Sequence, residues 1–162
     1  MRTRTPGRRT TASVTGAAAL NVLVPRVPGT RRRLARDLER LAAWTAEYYE
    51  RALELSFVVV DDEKMAELHE RYAGVAGPTD VLSFPLAEAP LLVGEVVISA
   101  DTACREAAAR GHSAYDELLL YAVHGVMHLV GHDDHEAADR RRMRSAERRA
   151  LAALGRESVF RR

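Results

Sequence analysis

The chain has 162 residues, 47% of them apolar and 29% charged, with a formal net charge of +1. That fits one domain with its own core and excludes both a polyanion mimic and a uniformly basic nucleic-acid coat. Its single cysteine, Cys104, excludes an intramolecular disulfide and any cysteine-built zinc site, and suits a reducing, cytoplasmic setting; no stretch approaches the roughly 18 to 20 apolar residues of a membrane span.

Residues 1–18 read as a basic, disordered tail with Arg2, Arg4, Arg8 and Arg9; the apolar run that follows is too short and too interrupted for a secretory signal. Residues 19–162 read as a single domain. Residues 20–24 predict a short strand closed by Pro25 and Pro28. Thr30 is placed to cap a helix to about Glu50, with Leu34, Leu38, Leu41, Thr45 and Tyr48 on one face. The β-rich apolar run 55–60 predicts a buried strand. Asp61 or Asp62 then caps a helix with Met65, Leu68 and Tyr72 inward, and His69 outward. After a loop at 74–78, strands are expected at 81–86 and 91–99, the first carrying Ser83. Asp101 is expected to cap a helix ended by Gly111, with Cys104 a small buried residue on it, and His112 packs or caps near the next helix start. Ser113 and Asp116 form a capping box for a helix to about Val130, stopped by Gly131. A last helix covers about 136–154. Strands and helices interleave but two strands are consecutive. The pattern therefore predicts an α/β-type (mixed α+β) fold, a small mixed sheet of about four strands packed with about five helices.

The near-neutral total hides an asymmetry. Residues 1–40 carry a net +8 and residues 136–162 a net +5, while residues 41–135 carry −12, and all the basic residues except Lys64 are arginine. Solvated helix faces and a tail account for such ends in a bland way. The sharper reading is that arginine-rich ends hold a polyanion near an acidic or metal-bearing centre, since the planar guanidinium fork matches phosphate.

Four of the six histidines fall in the run His124-Gly-Val-Met-His128-Leu-Val-Gly-His132-Asp133-Asp134-His135. His124 and His128 are four apart on a helix and share a face. Two such histidines alone are most often surface or core residues. A helix-breaking Gly131 that lets the chain turn back, with a third donor in 132–135, makes a metal the better reading. Imidazoles around a zinc with one open position are a catalytic arrangement, in which the ion lowers the pKa of its water. Gly125 follows the first histidine where HExxH zinc proteases carry a glutamate base, which argues against peptide hydrolysis by that route.

The same run, with Met143 after it, resembles the YbeY family. So do Val58-Val59-Val60-Asp61-Asp62, Gly77-Pro78-Thr79-Asp80-Val81-Leu82-Ser83-Phe84-Pro85, Gly94-Glu95-Val96-Val97-Ile98-Ser99 and Gly111-His112-Ser113; the resemblance covers about residues 20–155. It implies a single-domain hydrolase of bacterial type, a zinc-dependent, single-strand-specific endoribonuclease in ribosomal RNA maturation and ribosome quality control, with one Zn(2+) per chain. Implied partners are single-stranded ribosomal RNA and the ribosome or its proteins, with neither DNA nor membrane. His124 and His128 are then metal ligands that act through a zinc-activated water. The third histidine that the resemblance implies, ten residues after the first, is Asp134 here, and His135 is one further on; either is a legitimate third ligand. An implied tyrosine is His132, a supporting or exposed residue or a spare ligand. An arginine implied after Tyr72 is Ala73, with Arg71 off by about 200° around a helix. No general base is identifiable; Asp133 and Glu95 are the nearest guesses. Ala73 motivates a second reading, a non-catalytic ribosome-assembly or RNA-binding factor with structural zinc. A third is a metallohydrolase acting on a smaller substrate.

Overall fold

The computed structural model describes residues 14–24, 29 and 31–157. The tail expected over residues 1–13 and the cap expected at Thr30 lie outside them. In chain order the elements are β1 (Gly16–Val22), α1 (Arg31–Tyr48), β2 (Leu53–Val60), α2 (Asp62–Ala73), β3 (Val81–Ala87), β4 (Leu92–Ser99), α3 (Ala100–Arg110), α4 (Ala114–Leu129) and α5 (Ala137–Ala153). The expected four-stranded mixed sheet and five helices are therefore present. β1 begins earlier than expected and takes in residues 16–18, part of the expected tail. Gly-Ala-Ala-Ala carries almost no β propensity. What makes it a strand is pairing in register with Leu53–Ser56 and a backbone so close to α1 that a Cβ on Gly16 would fall 2.1 Å from the Ala42 carbonyl oxygen.

The sheet order is β1-β2-β4-β3, with β1–β2 and β2–β4 parallel and β3–β4 antiparallel. Pro85 lies on β3, an edge strand that tolerates a missing donor. Side chains alternate across the sheet. Leu53, Leu55, Phe57 and Val59 of β2, with Leu92, Val96 and Ile98 of β4, join α1, α4 and α5 in the main core. Val58 and Val60, with Val97, Leu82 and Phe84, turn to the other face and meet Met65 and Leu68 of α2. α4 is the central helix: 11 of its 16 residues are buried, as befits a helix apolar on nearly all sides. Truncating one of its buried leucines, Leu118 or Leu119, removes about 2–5 kcal/mol of stability.

Four local expectations differ. The N-cap of α3 is Ser99, whose side chain accepts from the Thr102 amide, rather than Asp101. α3 packs on α4 through the stripe Ala100, Ala103 and Ala107, so Cys104 turns outward and is exposed. Tyr48 and Tyr72, expected inward, are 49% and 58% exposed. They end their helices past the edge of the packed layer, Tyr48 stacked on Trp44 and Tyr72 edge-on to Phe84, both at 5.0 Å between ring centres. His69, expected outward, is half-buried because Nδ1 is drawn to the Gly77 carbonyl oxygen, 2.9 Å away.

Candidate metal centre

α4 presses its Gly125 face onto the sheet. A Cβ there would lie 2.6 Å from Val96 Cγ1 and 2.8 Å from Ser83 Oγ, and Ser83 Oγ donates to the Gly125 carbonyl at 3.1 Å. The sequence showed that a glutamate is missing after His124; the packing shows that none fits. His124 and His128 therefore stand beside this contact, on the rim of the helix, half-buried.

Both histidines are oriented from behind. His124 Nδ1 donates to Glu147 Oε1 on α5 at 2.6 Å, and His128 Nδ1 donates to the His132 carbonyl at 3.0 Å. With each ring's proton on Nδ1, both Nε2 atoms carry lone pairs, and they face each other at 3.0 Å. Nitrogens this close share either a second proton on His124 or a metal ion that lies against both. Asp134 adds a carboxylate on the same side, Oδ2 at 3.7 Å from His124 Nε2 and Oδ1 at 3.9 Å from His128 Nε2. Donors at about 2.0–2.1 Å around a tetrahedral ion stand about 3.3 Å apart; one donor atom from each of the three residues lies within 4.8 Å of the others, so side-chain adjustment brings the set to an ion. Two neutral imidazoles and a carboxylate are a donor set that suits zinc. Burial of His124 opposes its charged form, but the Glu147 hydrogen bond and the charges of Glu147, Asp134 and Asp80 outweigh it and raise the pKa.

Gly131 delivers Asp134. Its φ of +97° is a left-handed turn open to glycine. It lets the His132 amide bond back to Met127 O at 3.0 Å. Asp133 then accepts from the Asp134 and His135 amides at 2.7 and 3.3 Å. Arg140 of α5 clamps the next turn by donating to the His135 carbonyl at 2.6 Å.

Of the two third-ligand alternatives, Asp134 stands with the histidine pair and His135 does not. The His135 side chain is 85% exposed and its ring faces Asp133, 3.6 Å away. Asp133, Asp134 and His135 make a second group of donors close enough for an ion, sharing Asp134 with the first, with Asp133 and His135 exposed. His132 contributes its carbonyl; its ring Nε2 meets the Tyr49 hydroxyl at 2.8 Å, and burial, then Arg149 and His128, lower its pKa. Neither guessed base reaches the site. Glu95 alternates with Gly94 and Val96, which face α4, so it points to the opposite side of the sheet. Asp133 is turned into its own loop. His112 packs against Glu117 as a structural partner.

Glu147 was missed in the sequence. A signal existed: it lies on the buried stripe of α5 with Met143, Ala146, Ala150 and Leu151, where a carboxylate is costly without a partner. A cavity of about 260 Å³ opens beside His128, lined by Ser83, Gly131 and Arg51 among others.

A family model described as Endoribonuclease YbeY matches residues 28–155. A Thermobifida fusca protein named endoribonuclease YbeY is 42% identical over 132 residues, 72% of this chain and 84% of that protein. A Halorhodospira halophila protein of the same name is 39% identical over 131 residues, 75% of this chain and 85% of its own length. The solution structure of a Thermotoga maritima protein has the same fold at a TM-score of 0.60 and 23% identity, covering 84% of this chain and 89% of that one. Among the described residues no helix is long and apolar enough to cross a membrane.

Proposed function

The chain belongs to the endoribonuclease YbeY family, and from that membership we propose that it is a metal-dependent, single-strand-specific endoribonuclease of the cytoplasm, acting in ribosomal RNA maturation and ribosome quality control. The observation that carries the metal is the convergence of His124 Nε2, His128 Nε2 and the Asp134 carboxylate, one donor atom from each lying within 4.8 Å of the others. His124, His128 and Asp134 would hold one zinc ion. When bound, zinc supplies Lewis acidity, polarising phosphoryl oxygen and easing deprotonation of water. The chain's own residues do the rest. Glu147 and the His132 carbonyl hold both imidazoles in one tautomer and one orientation, as supporting carboxylates and carbonyls do behind metal-bound histidines. The apolar walls of α4 and the sheet exclude water from one side, which strengthens electrostatic contacts to a phosphodiester. Ribosomal proteins are the expected protein partners.

His128→Ala is expected to lose both bound metal and ribosomal RNA cleavage, against wild type purified identically and made metal-replete. Cleavage that survives loss of the metal would contradict the mechanism.

The second reading is a non-catalytic ribosome-assembly factor with structural zinc. The observation favouring it is that Ala73 and loop residues 74–80 supply no cation. It predicts salt-sensitive RNA binding without metal-dependent cleavage. Ala73→Arg separates the two, since a gain in cleavage supports the enzyme.

A further inference from the structure

A phosphodiester strand brought to this centre meets carboxylates first: Asp134 within it, Glu147 behind it, and Asp80 at the head of β3, the strand that packs on α4. One metal ion offsets only part of that charge, so the strand needs a cation on the protein. Residues 73–80 between α2 and β3 hold none. The cavity beside His128 holds one, Arg51.

Arg51 is built into place. It follows the C-terminus of α1, where Glu50 adopts a φ of +49°, a conformation that costs a non-glycine residue about 1 kcal/mol or more. The turn closes with the Arg51 amide donating to the Ala46 carbonyl at 3.0 Å and the Glu50 amide to Glu47 at 3.3 Å, a Schellman closure with glutamate in the place glycine usually takes. This aims the residue across the cleft. Its Nη2 donates to the Glu88 carbonyl at 2.6 Å, which anchors one corner of a five-donor fork and leaves donors for an anion. The same turn is tied to the metal side, because the adjoining Tyr49 hydroxyl bonds His132 Nε2 at 2.8 Å and the His132 carbonyl receives His128 Nδ1. The cavity of about 260 Å³ is therefore lined by His128 of the histidine pair, by Ser83, Pro85 and Gly131, and by Arg51 with Glu88 beside it.

We propose that Arg51 binds a backbone phosphate of the single-stranded RNA substrate, and that the cavity between Arg51 and His128 seats the nucleotide next to the scissile bond. This rests on the endoribonuclease reading and adds to it the residue that sets the register of the strand. Arg51 makes one phosphate contact, which adds to the electrostatic attraction and carries no base information.

The test is steady-state cleavage of a fluorescently labelled single-stranded RNA oligonucleotide by metal-replete protein, repeated from 50 to 200 mM salt. It compares wild type, Arg51→Gln, Arg51→Lys and Arg144→Ala, the last removing a charge from the exposed face of α5. Melting temperature and bound metal are read on the same samples. Arg51→Gln is expected to raise KM roughly tenfold with kcat within about twofold, and to flatten the slope of log(kcat/KM) against log salt by about 0.7, one phosphate contact on a single strand. Arg51→Lys keeps the wild-type slope and recovers part of KM; Arg144→Ala leaves both near wild type. A purely structural role for Arg51 would lower melting in Gln and Lys alike and leave the slope unchanged, and that overturns the proposal. So does an equal loss in Arg144→Ala. Absence of cleavage by wild type overturns the endoribonuclease reading and this inference with it; cleavage with unaltered slopes overturns this inference alone.

Discussion

Two histidine–glutamate pairs lie at opposite ends of α4, and they have opposite fates. At the N-terminal end, His112 meets Glu117, a carboxylate with no exposed surface that also takes Arg110 Nη1 at 2.5 Å and lies against Tyr121. Both carboxylate oxygens there are taken, Oε1 by Arg110 and Oε2 by His112. Burial, then the charge and hydrogen bond of Glu117, push the Tyr121 hydroxyl far above its ordinary pKa, so it stays a neutral donor. At the C-terminal end, His124 meets Glu147 through Nδ1 only, and its Nε2 is left facing His128 and Asp134 in an open cleft. The chemistry of the two pairs is the same. What separates a structural pair from a candidate catalytic one is that the second ring nitrogen of His124 faces two further donors, His128 and Asp134.

The sharpest way to break this contrast is to remove each glutamate. Glu147→Ala frees the His124 ring to turn and to change tautomer, and metal affinity is expected to fall about 10- to 100-fold, measured by zinc competition against a chromophoric chelator. Glu117→Ala leaves the buried Tyr121 hydroxyl without its acceptor, and is expected to cost about 1–3 kcal/mol of stability in denaturant titration, with zinc affinity unchanged. If Glu117→Ala lost metal as Glu147→Ala does, the two ends would not be separable.

A third, more exposed carboxylate extends the comparison. Asp62 accepts from Ser99 Oγ at 2.6 Å and Thr102 Oγ1 at 2.8 Å, and pairs with Arg105. Burial pushes its pKa up, but these hydrogen bonds and the Arg105 charge outweigh it and lower the pKa from 3.8. A group whose pKa is lowered on folding adds stability above its unfolded value, and loses it as pH falls through the folded one. The wild-type advantage over Asp62→Asn is therefore expected near neutrality and to fade below about pH 4, in melts run across pH. Because Asp62 is partly exposed, this is the smallest of the effects.

How much of this was legible in the sequence follows from the distance over which each feature is decided. His124 and His128 were readable because the helix alone puts them on one face. The sheet was readable because its strands are apolar runs bounded by turn residues. The start of β1 was not, since Gly16 to Ala19 form a strand only by pairing with β2. Which of Asp134 and His135 faces the histidine pair was not either: one residue of loop sets it, and that loop is shaped by Gly131, by the Asp133 side chain and by Arg140 from α5. Glu147 reaches His124 across 23 positions, through helix packing that periodicity does not encode, although a carboxylate on a buried stripe was a visible anomaly. Tyr48 and Tyr72 had the right spacing for burial, but each sits in a last turn with no layer above it.

The most direct test is zinc stoichiometry of Asp134→Ala and His135→Ala, each prepared beside wild type and quantified by elemental analysis after dialysis at equal free zinc. The account predicts that Asp134→Ala retains much less than one zinc per chain while His135→Ala matches wild type. Retention by Asp134→Ala with loss from His135→Ala would contradict it, and would mean that the 132–136 loop turns its other face to the histidine pair when the ion binds.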